Sequence, residues 1–176
     1  MDQGYMAQQL LSNFDAFKDP KTPWWITHDS LKNVAGQRLT GNVAQDQNIL
    51  LARKSLKDPE FMRAIDRHSD TGAYDGLIDR RNLQIVINDS SPFASRSDKD
   101  LTREMLDRFN GLKDPHLTSY IKVEKLKDMA NWPLTGDRVM DELIYVAKEA
   151  INRAYLMDSL AKNGLIHRSA LQHYPR

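Results

Sequence analysis

Four carboxylates, Asp66, Asp70, Asp75 and Asp79, fall within fourteen residues. Held that close, they repel one another unless water, helix N-termini or a cation neutralises them. One chemistry they offer is oxygen ligation of a hard divalent cation. The other is local. Asp79 can cap a following helix, Asp66 and Asp70 can cap or turn the chain, and Arg67, Arg80 and Arg81 stand nearby to balance the charge. Nothing else in the chain offers stronger chemistry. There is no glycine-rich phosphate loop, no G-x-S-x-G and no H-E-x-x-H. The five histidines, at 28, 68, 116, 167 and 173, never stand four apart on a helix, so a zinc site is not expected. Glu142 and Glu149 could be drawn as the two carboxylates of a hydrolase, but their spacing reads as charge on a helix surface. No catalytic residue is expected, and a small hydrolytic effector stands as an alternative. Trp24 and Trp25 offer recognition instead. Neighbours in an extended segment point to opposite sides, so both cannot face one core; one is expected inside, and an exposed one is a candidate binding anchor, with a second small cluster under the loop as the alternative.

The elements that must position these groups show through an internal repeat. With a shift of 95 residues, 11–52 align with 106–147 without a gap, and 15 of the 42 positions are identical. Chance would give roughly two or three. The matches include Lys18-Asp19-Pro20 with Lys113-Asp114-Pro115, Ile26 with Ile121, Leu31-Lys32 with Leu126-Lys127, and Leu39-Thr40-Gly41 with Leu134-Thr135-Gly136. A second echo sits at an offset of 88, where Asp75 to Leu83 resembles Asn163 to Leu171. Seven extra residues must therefore lie in the first copy, and His68 to Tyr74 is the place expected for some of them. Ile26, Ile78, Ile121 and Ile166 are each followed five residues later by a leucine. Each of the four units reads as helix, turn-rich loop, one extended Ile and a second helix.

This pattern resembles the EF-hand, a helix, a twelve-residue loop and a helix. Asp75-Gly76-Leu77-Ile78 and Asn163-Gly164-Leu165-Ile166 match loop positions five to eight. Gly76 and Gly164 would supply the left-handed turn, and the isoleucines would pair across loops, 26 with 78 and 121 with 166. The implied fold is all-α: two tandem pairs of EF-hand-like helix–loop–helix units with short β-contacts between paired loops. The pairs are expected at 1–88 and 101–176, joined by a Ser-, Asp- and Asn-rich linker at 89–100. Asp58-Pro59 marks a helix start, Leu101 to Phe109 a helix, and Asp137 to Ala161 the longest helix.

An EF-hand holds calcium through oxygens at positions one, three, five and nine and a bidentate Glu at twelve. Counted from each Ile as position eight, position twelve is Ser30, Asn82, Lys125 or Ala170. Lys21 and His116 also sit inside their loops. The first, third and fourth loops are expected to be metal-free. The second, with Asp66, Asp70, Asp75 and Asp79, is the one place for a single non-standard calcium ion; no other cofactor is expected.

Composition narrows the rest. Lys plus Arg number 25 and Asp plus Glu 24, a net charge of +1 that gives no electrostatic case for nucleic acid or acidic lipid. There is no cysteine, and no window of 18 apolar residues to span a membrane. The start of the chain lacks the layout of a signal peptide. From Ile26 to Leu83 the chain reads Ile26-Thr27-x-Asp29-x-Leu31, then Leu50-Leu51, then Asp58-Pro59-x-Phe61, Ile65-Asp66, a loop and Asp75-Gly76-x-Ile78. This resembles the repeated module of the NolX/HrpF family of bacterial type III secretion translocon proteins. The resemblance implies a non-catalytic interaction module with a protein partner, secreted by a signal-peptide-independent route and connected with virulence. The apolar membrane-inserting region of that family is missing here. The alternatives are a calcium-stabilised structural domain and a cytoplasmic location.

Overall fold

The computed structural model describes residues 2–66 and 75–175. The chain divides into two compact units, Met1–Ser90 and Ser91–Arg176. Both are predominantly helical. Short β-contacts between the loops are expected, and a two-stranded and a three-stranded sheet join them; the third strand of the second sheet is the addition.

Unit 1 runs α1 (Gln3–Ser12), α2 (Phe14–Phe17), β1 (Ile26–Thr27), α3 (His28–Ala35), α4 (Val43–Leu56), α5 (Pro59–Ile65), β2 (Leu77–Ile78) and α6 (Arg80–Asp89). Helix α1 packs on α6 and α3 on α4. Strands β1 and β2 pair antiparallel with Ile26 opposite Ile78. Both isoleucines are buried, as are Leu31 and Leu83 five residues on. Burying such side chains stabilises by about 1.5–3 kcal/mol each. The helix starts have local causes. Thr27 and Ser30 form a reciprocal capping box at α3, and the carboxylates of Asp58 and Asp79 accept from the N–H groups of Phe61 and Asn82. Pro59 fills the first helical position of α5 and separates it from α4.

Unit 2 runs α7 (Asp98–Asp107), α8 (Phe109–Leu112), β3 (Tyr120–Lys122), α9 (Val123–Ala130), α10 (Arg138–Asn152), α11 (Ala154–Leu160), β4 (Ala161–Lys162), β5 (Leu165–His167) and α12 (Arg168–Gln172). Helix α7 packs on α12 and α9 on α10. Strand β5 lies between β3 and β4, with Ile121 opposite Ile166. From α1 to α5 every helix of unit 1 starts 95 residues before a helix of unit 2: 3 and 98, 14 and 109, 28 and 123, 43 and 138, 59 and 154. From β2 onward the step is 88: 77 and 165, 80 and 168.

Four expectations change. The helix placed at 137–161 breaks at Arg153, whose ψ of 79° leaves the helical region. The guanidinium there is tied to Asp98, Glu149 and the Arg96 carbonyl. The helix placed at 101–109 starts earlier, at Asp98 behind an Ser97 N-cap, and breaks at Arg108. Asn163-Gly164 is a two-residue hairpin turn between β4 and β5, with φ of 54° and 77°, rather than the middle of a twelve-residue loop. The stretch 89–100 is packed: α6 ends within it, α7 begins within it, and Phe93 is 3% exposed.

Candidate functional site

The first-position aspartates of the first and third loops are tied up by their own loops. Asp19 Oδ1 accepts from the Lys21 N–H at 2.8 Å, and Oδ2 from the Thr27 hydroxyl at 2.8 Å. Asp114 Oδ1 accepts from the N–H groups of His116 and Leu117, and Oδ2 pairs with Lys122 Nζ at 3.0 Å. The Lys122 ammonium, followed by these N–H groups, holds the Asp114 carboxyl at about 2. Position twelve is used in the same way. Ser30 Oγ donates to the Phe17 carbonyl at 2.7 Å, and Lys125 Nζ to the Lys113 carbonyl at 2.8 Å. In each case a side chain of the outgoing helix satisfies a carbonyl at the end of the incoming one, which a bare helix C-terminus would leave open.

The second loop differs. Asp79 is committed to the N-cap of α6, and Asp75 Oδ1 accepts from the Leu77 N–H at 3.0 Å. Gly76, at φ 75°, makes the left-handed turn between them. Burial, followed by the neighbouring Asp75 carboxylate, raises the Asp66 carboxyl above its ordinary value. Among the described residues, Asp66 Oδ1 is shielded from solvent without a hydrogen-bond partner, and so is Oδ1 of Asn82, the residue at position twelve. A buried oxygen left unpaired costs roughly 1–3 kcal/mol, so each calls for an explanation. Asp70 lies outside the described residues. Among the described residues no three His, Asp or Glu side chains converge as a metal site.

Trp24 is 67% exposed and Trp25 half-buried, with their rings edge to face at 6.2 Å. Neither belongs to the core. At the matching places of unit 2 stand Ser119 and Tyr120, and Tyr120 is covered edge-on by His167 at 4.9 Å.

A cleft of about 310 Å³ opens between α1 and α4, lined among others by Tyr5, Gln9, Asn13, Gln47, Leu50 and Lys54. Its amides are neutral, and Leu50 at its rim is 49% exposed. Nothing in the periodicity announced it, because a cleft is set by what two distant helices fail to fill.

Glu142 and Glu149 are both engaged by arginines. Glu142 bonds to Arg108 at 3.0 Å and Arg138 at 3.2 Å, and Glu149 to Arg153 at 2.9 Å. Arg108 foremost holds the Glu142 carboxyl below its ordinary value. Such a group makes a poor proton donor near neutral pH.

The chain matches no protein-family model, no curated protein and no solved structure.

A further signal that sequence reasoning missed is the partner of the repeated Leu-Thr-Gly. The N–H and hydroxyl of Thr40 donate to Asp46 Oδ1, and the Gly41 N–H to Oδ2. Thr135, Gly136 and Asp141 repeat the arrangement bond for bond. The identity of Asp46 and Asp141 at the same offset of 95 was the available signal. No helix among the described residues is long and apolar enough to cross a membrane.

Proposed function

We propose that this chain is a non-catalytic interaction module made of two duplicated, EF-hand-like pairs of helix–loop–helix units. In this reading it belongs to a secreted bacterial protein related to type III secretion, leaves its cell without a signal peptide and docks a protein partner. The observation that supports it best is the pairing of Ile26 with Ile78 and of Ile121 with Ile166 inside units whose helix starts keep one offset. Two of the loops between those helices are closed by their own Asp, Thr, Ser and Lys side chains, which leaves the scaffold's surface free for recognition. Trp24 is the proposed anchor on that surface, with Trp25 steadying it. A photo-crosslinking amino acid placed at position 24 of the full chain in its native cells tests this. The expected result is a single discrete protein adduct, absent when the same group is placed at exposed Val139. An equal smear of adducts from both positions would remove Trp24 as an anchor.

The two oxygens left unpaired among the described residues of the second loop favour one further reading, a calcium-stabilised structural domain. Asp66, Asp75 and Asn82 carry hard oxygens of the kind such an ion takes, while Asp79 is already spent on its cap. Bound calcium would neutralise the carboxylate pair of Asp66 and Asp75. A thermal melt decides it: millimolar calcium against chelator should raise the melting temperature by several degrees, and Asp66→Asn should abolish the shift. Identical melts would leave the loop metal-free.

A further inference from the structure

The cleft between α1 and α4 has a counterpart in unit 2, and there the chain itself fills it. Adding 95 turns Gln9, Asn13, Gln47, Leu50 and Lys54 into Glu104, Arg108, Glu142, Tyr145 and Glu149. The segment ahead of α7 lies against this face. The Phe93 ring sits under the Arg108 guanidinium at 4.9 Å, and Arg96 reaches Glu104 at 3.8 Å. Arg153, braced by Glu149, donates to the carbonyls of Arg96 and Phe93. Tyr145 is 4% exposed there, against 49% for Leu50.

We infer that the α1/α4 cleft of unit 1 is a docking groove for a short extended peptide of a partner, anchored by one aromatic side chain with an acidic residue close after it. The aromatic anchor follows from Phe93, which occupies the matching groove. Of the residues lining the unit 1 cleft only Tyr5 is aromatic, and the space left beside it suits a ring. The acidic preference follows from charge. In unit 2 the carboxylates Glu104 and Glu149 meet the arginines of the bound segment and its clamp. In unit 1 the matching places hold the neutral amide of Gln9 and the ammonium of Lys54. A basic peptide loses its partner, whereas a carboxylate finds one. The backbone carbonyls that Arg153 clamps in unit 2 would turn toward Lys54 and the amides of Gln9, Asn13 and Gln47.

This inference rests on the duplication proposed above, since the two faces are compared through it. The probe is a synthetic peptide with the sequence of residues 89–98, its Arg96→Glu form and its Phe93→Ala form. Each is titrated into the isotope-labelled full chain and followed by amide chemical shifts. The expected result is saturable shifts confined to α1 and α4. The Arg96→Glu peptide should bind at least threefold tighter than the parent, and the Phe93→Ala peptide at least tenfold weaker. Lys54→Glu in the protein should reverse the first preference while leaving the dispersion of the spectrum unchanged. Equal affinity for the Phe93→Ala peptide would overturn the proposal, as would shifts centred outside the cleft. Shifts of the cleft residues that depend on protein concentration alone would overturn it too, by making a second copy the occupant. A failed titration beside an intact Trp24 adduct strikes the groove alone, whereas loss of both strikes the interaction-module reading.

Discussion

The α1/α4 face and the α7/α10 face are built on the same helix offsets and end up as opposites. One is an open cleft lined by neutral amides and the Lys54 ammonium; the other is sealed by Phe93 and a cluster of ion pairs around Arg108. The difference lies in a handful of side chains. Asn13 faces α4 where Arg108 faces α10, and Gln47 stands where Glu142 does. Ala16 takes the place of Gly111, whose missing Cβ leaves room for Leu143. A closed face gains stability from its own chain, whereas an open face of the same scaffold leaves apolar surface such as Leu50 in water.

Removing the plug should have the largest effect. Phe93→Ala takes away a ring that is 3% exposed and uncovers the α7/α10 face. A loss of about 3–5 kcal/mol is expected, as for other buried Phe→Ala changes. Calorimetry of the full chain should show the unit 2 transition falling by ten degrees or more while unit 1 keeps its own. If both transitions fall together, or neither does, Phe93 is not a plug of unit 2.

Copying unit 1 into unit 2 should cost less. Arg108→Asn leaves Glu104 and Glu142 facing each other without their shared cation and uncovers the Phe93 ring. The groups are 21–28% exposed, between surface and buried ion pairs, so about 1–3 kcal/mol is expected. Asn13→Ala at the matching place of unit 1 should change stability by no more than about 0.5 kcal/mol. Denaturant melts of the two variants measure the contrast. Equal losses would mean that the arginine cluster does not distinguish the two faces.

Part of this was legible in the sequence. Helix starts at Asp58-Pro59 and Asp79 rest on local chemistry, and local chemistry survives folding. The paired isoleucines could be placed because burial on both sides of a short strand contact leaves few acceptable side chains. The break at Arg153 was missed because its cause is tertiary: the guanidinium is drawn to Asp98 and to carbonyls near Phe93. Only the aligned Asp58-Pro59, 95 residues earlier, hinted at it. The hairpin at Asn163-Gly164 was hidden by the resemblance in residue types, since Asn-Gly serves a tight turn as well as a cation loop. The cleft was invisible because its defining feature is what α1 and α4 leave unfilled.

The smallest expected effect concerns acid. In the third loop Asp114 is buried and held at about 2 by the Lys122 ammonium first of all. In the first loop Asp19 is also lowered, but chiefly by the Lys21 N–H and the Thr27 hydroxyl, with the Lys21 charge a smaller cause. A carboxyl lowered by folding stabilises the fold fully above its ordinary value, and that contribution fades as the pH falls through the lowered one. The relevant window for Asp114 therefore runs from about pH 4 down to about pH 2. Lys122→Met removes the main cause and leaves the backbone bonds of His116 and Leu117 in place. It should flatten the acid-induced fall of the unit 2 transition by a few degrees and leave unit 1 unchanged. Melts followed through Trp132 in unit 2 and through Trp24 and Trp25 in unit 1, each assigned with a Trp→Phe variant, separate the two. The same acid slope with and without Lys122 would put the Asp114 stabilisation in the backbone bonds, and the first and third loops would then be closed in one way rather than two.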